Sequence, residues 1–432
     1  MVSVVHSVAS LSDFDQFLAT LAEGLPAGDA ERLKSAVEFA WTTYGERTLG
    51  SGERIWSHAL GMAVIIAGLR LDVESRIAAL LFAIPAQDEH GIATIETRFG
   101  KPAAHLVHGI SRLNRLRPIT KGFVATNIEA GEVNPAEMKA QIEVLRKMLL
   151  AMVEDIRVVL LRLASRTQTL RYYASNPDDD LRVEVARETL ELYSPLANRL
   201  GVWELKWELE DLSFRFIHPE TYKKLAKLLD EKRSEREQFI VDAVAKVRGE
   251  LEAAGVQNAE IYGRPKHIYS IWNKMRKKGV EFSEVYDVRA LRIIVDDLRE
   301  CYTALGIVHN LWLPIPKEFD DYISNPKGNN YRSLHTAVRC PDGRSLEIQI
   351  RTWEMHKHAE LGVAAHWRYK EGSKRTTEDD YDEKIAWLRQ LLTWKDEVAD
   401  SSDWVKHYKQ AALDETIYVI TPQGKVVDLP AG

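Results

Sequence analysis

This chain of 432 residues has few cysteines, lacks long apolar runs and carries no net positive charge. Its only cysteines, Cys301 and Cys340, argue against a disulfide-bonded scaffold and favour a reducing compartment. The most apolar stretch, 59–69, is too short to span a bilayer, and no basic segment precedes an apolar run near the first residue. We therefore expect a cytoplasmic protein without a signal peptide or a membrane partner. The formal charge of −6 argues against nonspecific DNA binding, so any anion site must be a local patch.

Hydrophobic periodicity divides the remaining sequence into regions of different character. Residues 1–200 repeat apolar positions at helical spacing, with no strand-like block, and 201–255 continue as helices with mixed-charge faces. Strand-like and helical segments alternate over 256–370, which predicts an α/β domain. We expect 371–410 to be a helical linker. Residues 411–432 read as strand, turn and strand, which predicts the start of a further domain because a hairpin cannot bury a face alone.

The segment 317–352 concentrates residue types that contact phosphates and bases. Its second half alternates, so Leu346, Ile348 and Ile350 share one face of a predicted strand. The opposite face carries a carboxylate, an amide and a guanidinium, on Glu347, Gln349 and Arg351. Alternation of this kind is typical of a strand with a solvated face, and it is also compatible with one wall of a polar site. The strand alone does not decide between these interpretations.

The segment 264–278 is rich in Lys and Arg and contains no acid. On a helix, Lys266, Ser270 and Lys274 would form one stripe, with Pro265 in the first turn. Apolar residues occupy the opposite side: Ile268, Ile271, Trp272 and Met275. The stripe fits a polyphosphate lying along the helix; the alternative is a basic surface helix.

Arg292 lies in the apolar run 290–295 and therefore needs a partner or a pocket. The carboxylates of Asp287 and Glu347 could together hold a magnesium ion, which prefers few oxygen ligands with the rest supplied by phosphate and water. Spacing alone does not distinguish this pair from other pairs of acids.

Five strings in these segments resemble motifs of the RelA/SpoT family of alarmone synthetases, in the family's order: GRPKHIYSIWNKM, VYDVRALRI, EFDDYISNPKGNNYRSLHT, LEIQIRT and EMHKHAELGVAAHWRYK. The resemblance extends through the first half of the chain. It implies an all-helical HD-type domain over 1–200 and a nucleotidyltransferase-like synthetase domain with a mixed sheet over 256–370. It also implies that 411–432 begin a TGS-like domain, so that the chain is truncated at its C-terminal end.

The resemblance implies transfer of the β,γ-pyrophosphate of ATP to the 3′-hydroxyl of GDP or GTP, with release of AMP. It assigns ATP binding to Arg264, Lys266, Ser270, Lys274 and Arg292, with the first and last of these on the two sides of adenine. It assigns the acceptor nucleotide to Lys327, Asn329, Tyr331, His335 and Gln349. It assigns Mg²⁺ to Asp287 and Glu347, and Glu347 would also orient or deprotonate the attacking hydroxyl.

The resemblance also bears on two local features of the segment 317–352. The acidic motif of Glu318, Asp320 and Asp321 is typical of synthesis-only members, and it would alter either metal use or the preference between GDP and GTP. Asn330 replaces the usual Gly before the Tyr, and Asn tolerates a positive φ better than other non-glycine residues.

The helical region has lost the residues that hold manganese in hydrolysing relatives. Phe82 and Ala83 stand where the family has His and Asp, and Ser165 and Thr169 replace a later Asp and Asn. His58 alone remains, and one imidazole does not hold a divalent ion. The resemblance therefore predicts an inactive, regulatory hydrolase domain, with His58 bound to a structural partner.

Two alternatives to a basally active synthetase stay open. The chain could be a nucleotide-binding regulatory module that is silent without a ribosome and uncharged tRNA, which the family contacts through regions after residue 432. It could also retain both activities, which requires manganese-dependent hydrolysis.

Overall fold

The computed structural model describes residues 14–114, 155–176, 181–231, 233–264, 267–279, 289–327, 331–361, 416–420 and 426–430. The chain forms two compact units, one of 5–196 with 364–432 and another of 197–363 with 1–4. The predictions for Lys266, Asp287 and Asn329, and for the linker 371–410, concern residues outside the described ranges.

The first unit is helical as far as it is described before residue 197. Its helices are α1 (Phe14–Ala22), α2 (Ala27–Tyr44), α3 (Ile55–Gly68), α4 (Val73–Leu81), α5 (Ile84–Gln87), α6 (Gly91–Phe99), α7 (Lys101–Asn114), α8 (Ile156–Ser175), α9 (Leu181–Glu188) and α10 (Ser194–Arg199), with a π-helical turn, Thr189–Tyr193, before the last. Asp72 begins α4 as an N-cap, because its carboxylate accepts the Ser75 N–H at 2.8 Å. The helices bury apolar stripes such as Ile66, Ile77 and Leu160.

The second unit combines helices with a five-stranded sheet. Its elements are α11 (Trp203–Ile217), α12 (Pro219–Glu231), α13 (Arg233–Ala253), β1 (Glu260–Gly263), α14 (Ile268–Lys278), β2 (Ala290–Val295), α15 (Leu298–Leu311), β3 (Leu313–Asp321), β4 (Leu334–Arg339), β5 (Ser345–Thr352) and α16 (Trp353–Leu361). The strand order is β1-β2-β5-β4-β3. Only β2 and β5 pair in parallel, so the sheet is mixed, as predicted.

The central strand β5 is buried on both faces. Leu346, Ile348 and Ile350 are fully buried in the core beneath the sheet. On the opposite face Gln349 is 2% exposed and Arg351 is 1% exposed. The interpretation of this face as solvated is therefore wrong, because other groups of the same unit cover it.

The basic helix α14 starts at Ile268, after the N-cap residue His267 with its extended backbone. It carries Ser270 and Lys274 of the predicted stripe, whereas Pro265 and Lys266 lie outside the described residues. The predicted apolar side is confirmed, since Ile268 is buried and Trp272 and Met275 pack against its cluster.

A separate pair of strands, β6 (Thr416–Ile420) and β7 (Val426–Pro430), is antiparallel, which confirms the strand prediction for this segment. Cys301 and Cys340 are both free and buried. Among the described residues, no helix has the length and apolarity needed to cross a membrane.

Candidate active site across the mixed sheet

One row of paired residues crosses all five strands. Tyr262 on β1 pairs with Arg292 on β2, which pairs with Gln349 on β5. Gln349 pairs with His335 on β4, and His335 pairs with Asp320 on β3. Directly paired residues point to the same face of a sheet, so the register alone places these side chains side by side.

Glu347 lies two positions before Gln349 on the same face of β5. Its Oε1 accepts a hydrogen bond of 3.0 Å from Gln349 Nε2. The Oε1 atom of Gln349 is buried and has no hydrogen-bond partner. A carboxylate and an unpaired amide oxygen therefore lie together, and a buried polar atom without a partner indicates a missing ligand or solvent.

Two buried guanidiniums share one carboxylate from α16. Glu360 Oε1 accepts from Arg292 at 2.9 Å and from Arg351 at 2.8 Å. Burial opposes ionisation of Glu360, but the charges of the two arginines outweigh it and hold the Glu360 pKa below its usual value. The Nε atoms of Arg292 and Arg351 are buried without partners. Arg292 also donates to the Tyr262 hydroxyl at 3.2 Å.

His356 lies beside this cluster and accepts a 2.6 Å hydrogen bond from Arg351 at Nδ1. Burial and the charge of Arg351 lower the His356 pKa to about 4. The imidazole is therefore neutral near neutral pH, which lets Nδ1 accept from the guanidinium.

Arg264 follows β1, and its N–H donates to the Ala290 carbonyl at 2.8 Å. Its guanidinium carbon lies 4.6 Å from the centre of the Trp207 ring on α11. Burial lowers the Arg264 pKa, with Glu347 opposing that shift and Arg292 adding to it. The two predicted adenine-binding arginines thus belong to one charge cluster with Glu347.

Tyr331 and His335 form the other end of the site. The Tyr331 hydroxyl lies 2.9 Å from His335 Nε2. Burial lowers the His335 pKa to about 3; Glu347 opposes this shift, while Lys327 and Arg264 add to it. His335 is therefore a neutral hydrogen-bonding group near neutral pH.

Lys327 and Asp321 shape the turn that leads to Tyr331. Asp321 accepts the N–H groups of Ile323 and Ser324 at 2.9 and 2.8 Å. Burial opposes ionisation of Asp321, but these bonds keep its pKa below the usual range. The Lys327 ammonium lies 4.2 Å above the Tyr322 ring. Asp321 therefore maintains the turn, whereas Asp320 is exposed and belongs to the row across the sheet.

The structure brings together six of the predicted residues: Arg264, Arg292, Glu347, Gln349, Tyr331 and His335. Ser270 and Lys274 lie one turn apart on α14, both half-buried, and Glu318 is half-buried on β3. Within the described residues no group of three or more His, Cys, Asp or Glu side chains could hold a metal ion.

Sequence reasoning missed Glu360 and the tryptophans of α11. Trp203 contacts Tyr331, and Trp207 contacts Arg264. Their spacing of four residues places both on one helix face, which is the signal that could have identified them. Glu360 follows Arg292 by 68 residues, and no sequence period connects such a pair.

The first unit places a second polar cluster around His58. Its Nδ1 lies 2.6 Å from Glu53 Oε2, and its Nε2 lies 2.9 Å from Ser165 Oγ. Gln168 donates to the other Glu53 oxygen at 2.7 Å. His58 is 1% exposed and Ser165 is 5% exposed. The expected structural partners of His58 are thus Glu53 and Ser165.

Family models match both parts of the chain. One described as "HD domain" matches 36–203, and one described as "Region found in RelA / SpoT proteins" matches 263–374. Residues 263–374 therefore contain the region shared by RelA/SpoT proteins, preceded by an HD domain.

Similar proteins are named as pyrophosphokinases and as a pyrophosphohydrolase. A GTP pyrophosphokinase of Escherichia coli K12 is 46% identical over 372 residues, which is 86% of this chain and 48% of that protein. A probable guanosine-3′,5′-bis(diphosphate) 3′-pyrophosphohydrolase of Synechocystis is 41% identical over 91% of this chain and 50% of its own length. The chain thus spans about half the length of these relatives. The structure of small alarmone synthetase 1 from Bacillus subtilis with its product pppGpp covers 44% of this chain and 98% of its own, at 21% identity and a TM-score of 0.28.

Proposed function

We propose that the second unit is a (p)ppGpp synthetase, which transfers the β,γ-pyrophosphate of ATP to the 3′-hydroxyl of GDP or GTP and releases AMP. The observation that carries this proposal is the polar row on β5 and its neighbours. There, buried donor and acceptor atoms of Arg292, Gln349 and Arg351 have no partner, and Gln349 is hydrogen-bonded to the Glu347 carboxylate. Retaining such atoms costs stability, so they are best explained by a polar ligand that binds there.

Each end of the row suits one of the two nucleotides. The donor end contains Arg264 and Arg292, whose planar guanidiniums can stack on a purine and neutralise phosphate charge. The acceptor end contains Tyr331 and the neutral His335, which offer a ring face and a hydrogen bond to guanosine.

Glu347 lies between the ends, and we assign to it the orientation or deprotonation of the 3′-hydroxyl. Pyrophosphoryl transfer depends mainly on positioning and on charge neutralisation. A base within hydrogen-bonding reach of the attacking hydroxyl contributes roughly 10²–10⁴ in rate. Gln349 donates from its amide N–H to Glu347 Oε1, which restricts the orientation of that carboxylate.

Magnesium fits the donor set at this position. Mg²⁺ binds through one or two protein carboxylates with phosphates and waters completing its shell, so a site with few protein ligands is sufficient. Glu347 supplies one carboxylate, and the unpaired Gln349 Oε1 lies beside it. Asp287 remains the proposed second ligand. When bound, the ion would neutralise charge on the transferred pyrophosphate.

We also propose that the HD-like unit does not hydrolyse alarmone. Both ring nitrogens of His58 are occupied by Glu53 and Ser165, so binding a metal at this imidazole would require breaking a buried hydrogen bond. Incubation of the chain with (p)ppGpp and Mn²⁺ should release no pyrophosphate; metal-dependent release above a protein-free blank would refute this assignment.

The synthetase proposal is tested by incubating the full chain with ATP, GDP and Mg²⁺, with and without ribosomes and uncharged tRNA. AMP and a 3′-pyrophosphorylated guanosine nucleotide should appear in equal amounts. Glu347→Gln should lower the rate by at least about 10²-fold while nucleotide binding persists. Glu354→Gln, an exposed carboxylate on α16, is the matched control and should retain the rate.

Tight binding of both nucleotides without turnover under either condition would overturn the synthetase proposal in favour of a regulatory nucleotide-binding module. A fully active Glu347→Gln variant would retain the reaction but remove the role assigned to this side chain.

A further inference from the structure

One face of α11 contacts both ends of the proposed site. Trp203, Trp207 and Asp211 follow one another at intervals of four residues, so they form a single stripe on the helix. We propose that this stripe is a positioning device, in which Trp207 and Asp211 set the donor end and Trp203 sets the acceptor end. The inference rests on the proposed synthetase function and assigns new residues to it.

Trp207 holds the guanidinium of Arg264. The charged carbon lies 4.6 Å from the ring centre, within the range of a cation–π interaction. The same ring stacks on His267 at 4.9 Å, with 21° between the planes. Arg264 can rotate about several bonds, and contact with a broad ring restricts it to a flat orientation. A restricted guanidinium loses less entropy when a purine stacks on it.

Asp211 fixes the start of α14, the helix that carries Ser270 and Lys274. Its Oδ1 accepts the Tyr269 N–H at 2.9 Å, and its Oδ2 lies 3.0 Å from His267 Nδ1. The N-cap residue His267 makes no capping bond with its own side chain. A side chain from α11 therefore does the work of an N-cap for α14, which ties the two helices together.

Trp203 performs the corresponding task at the acceptor end. Its ring meets the Tyr331 ring edge-on, with centres 5.8 Å apart and 68° between the planes. Edge-to-face contact is a favoured aromatic geometry. Trp203 thus restricts the orientation of the tyrosine that we assign to guanine.

The two contacts predict opposite effects on the two substrates. Trp207→Leu should raise KM for ATP by about fivefold to tenfold, as expected for loss of a cation–π contact and its ordering effect. Its KM for GDP should change less than about twofold. Trp203→Leu should show the reverse pattern. Trp207→Tyr retains an aromatic face and should recover most of the ATP affinity.

Trp41→Leu serves as the matched control, because Trp41 is 57% exposed and lies in the first unit. Circular dichroism of each variant, together with Trp207→Tyr and Trp203→Phe, separates a folding defect from a binding defect. A merely structural role would raise both KM values equally in both variants, and that result would overturn the inference.

Calorimetry distinguishes failure of this inference from failure of the proposed function. Binding of a nonhydrolysable ATP analogue and of GDP is measured separately for the wild-type chain and for each variant. If the chain binds both nucleotides but makes no product, only the synthetase function is contradicted. The positioning role then still requires Trp207→Leu to raise Kd for the ATP analogue and Trp203→Leu to raise Kd for GDP. Equal losses for both ligands, or no loss for either, contradict the positioning role.

Discussion

Two buried polar clusters of this chain have opposite hydrogen-bonding states. In the His58 cluster both ring nitrogens have partners, as do both carboxylate oxygens of Glu53. In the arginine cluster around Glu360, the Nε atoms of Arg292 and Arg351 are buried without partners, and so is Gln349 Oε1. Burial alone does not identify a functional site. We interpret the unsatisfied polar atoms of the arginine cluster as positions that a ligand completes, whereas the satisfied atoms around His58 stabilise the fold.

The largest expected effect concerns Glu360. Glu360→Ala leaves the buried guanidiniums of Arg292 and Arg351 without their shared carboxylate, so the second unit should lose about 3–5 kcal/mol in free energy of unfolding. Glu354→Ala changes an exposed carboxylate on the same helix, α16, and should stay within about 0.5 kcal/mol of wild type. Urea unfolding followed by circular dichroism measures both. Equal stability of the two variants would show that Glu360 is not the counterion of the cluster.

The next effect tests the satisfied cluster. Gln168→Met keeps the length of the side chain but removes the 2.7 Å hydrogen bond to the buried Glu53 carboxylate. A hydrogen bond to a charged group contributes about 1.5–3 kcal/mol, so the variant should be destabilised by that amount. Synthetase activity should be retained at temperatures where the variant is folded. Unchanged stability would mean that the bond between Gln168 and Glu53 contributes nothing.

Gln349→Met is the matched substitution in the unsatisfied cluster. It removes one hydrogen bond to the half-buried Glu347, but it also removes a buried oxygen that has no partner. The two changes oppose each other, so stability should change by less than about 1 kcal/mol. Activity should fall at least tenfold, because the variant loses the group that orients Glu347. A stable, fully active variant would remove Gln349 from the proposed site.

Local pattern predicted much of this fold and of the site. The apolar run around Arg292 predicted β2, and the alternation in 345–351 predicted β5 together with the face that carries Glu347 and Gln349. Hydrophobic periodicity and turn residues are local properties of the sequence, so they predict individual strands and the side chains that share a strand face.

Long-range contacts account for what the sequence did not reveal. Alternation could not show whether the Glu347 face of β5 is solvated, because the groups that bury it come from other elements. Glu360 contacts Arg292 across 68 residues of sequence, and Trp207 contacts Arg264 across 57 residues. No hydrophobic or charge periodicity connects residues that are so far apart in the sequence. They become visible only when the sheet register and the packing of α11 and α16 are known.

The smallest expected effect concerns His356, at the border of the arginine cluster. Its surroundings are Arg351, Glu360 and Arg292, and burial and Arg351 lower its pKa from 6.5 to about 4. The unfolded chain therefore binds more protons than the folded chain between these values, so the stability contribution is complete above pH 6.5 and is lost as pH falls. Burial opposes ionisation of Glu360, but the charges of Arg292 and Arg351 lower its pKa. His356→Asn keeps an acceptor for Arg351 but cannot gain a charge. Between pH 7 and 5.5 it should lose about 1 kcal/mol less stability than wild type.

His105→Asn, at an exposed position of α7, should follow the wild-type curve, and an identical curve for His356→Asn would show that this histidine does not remain neutral in the fold.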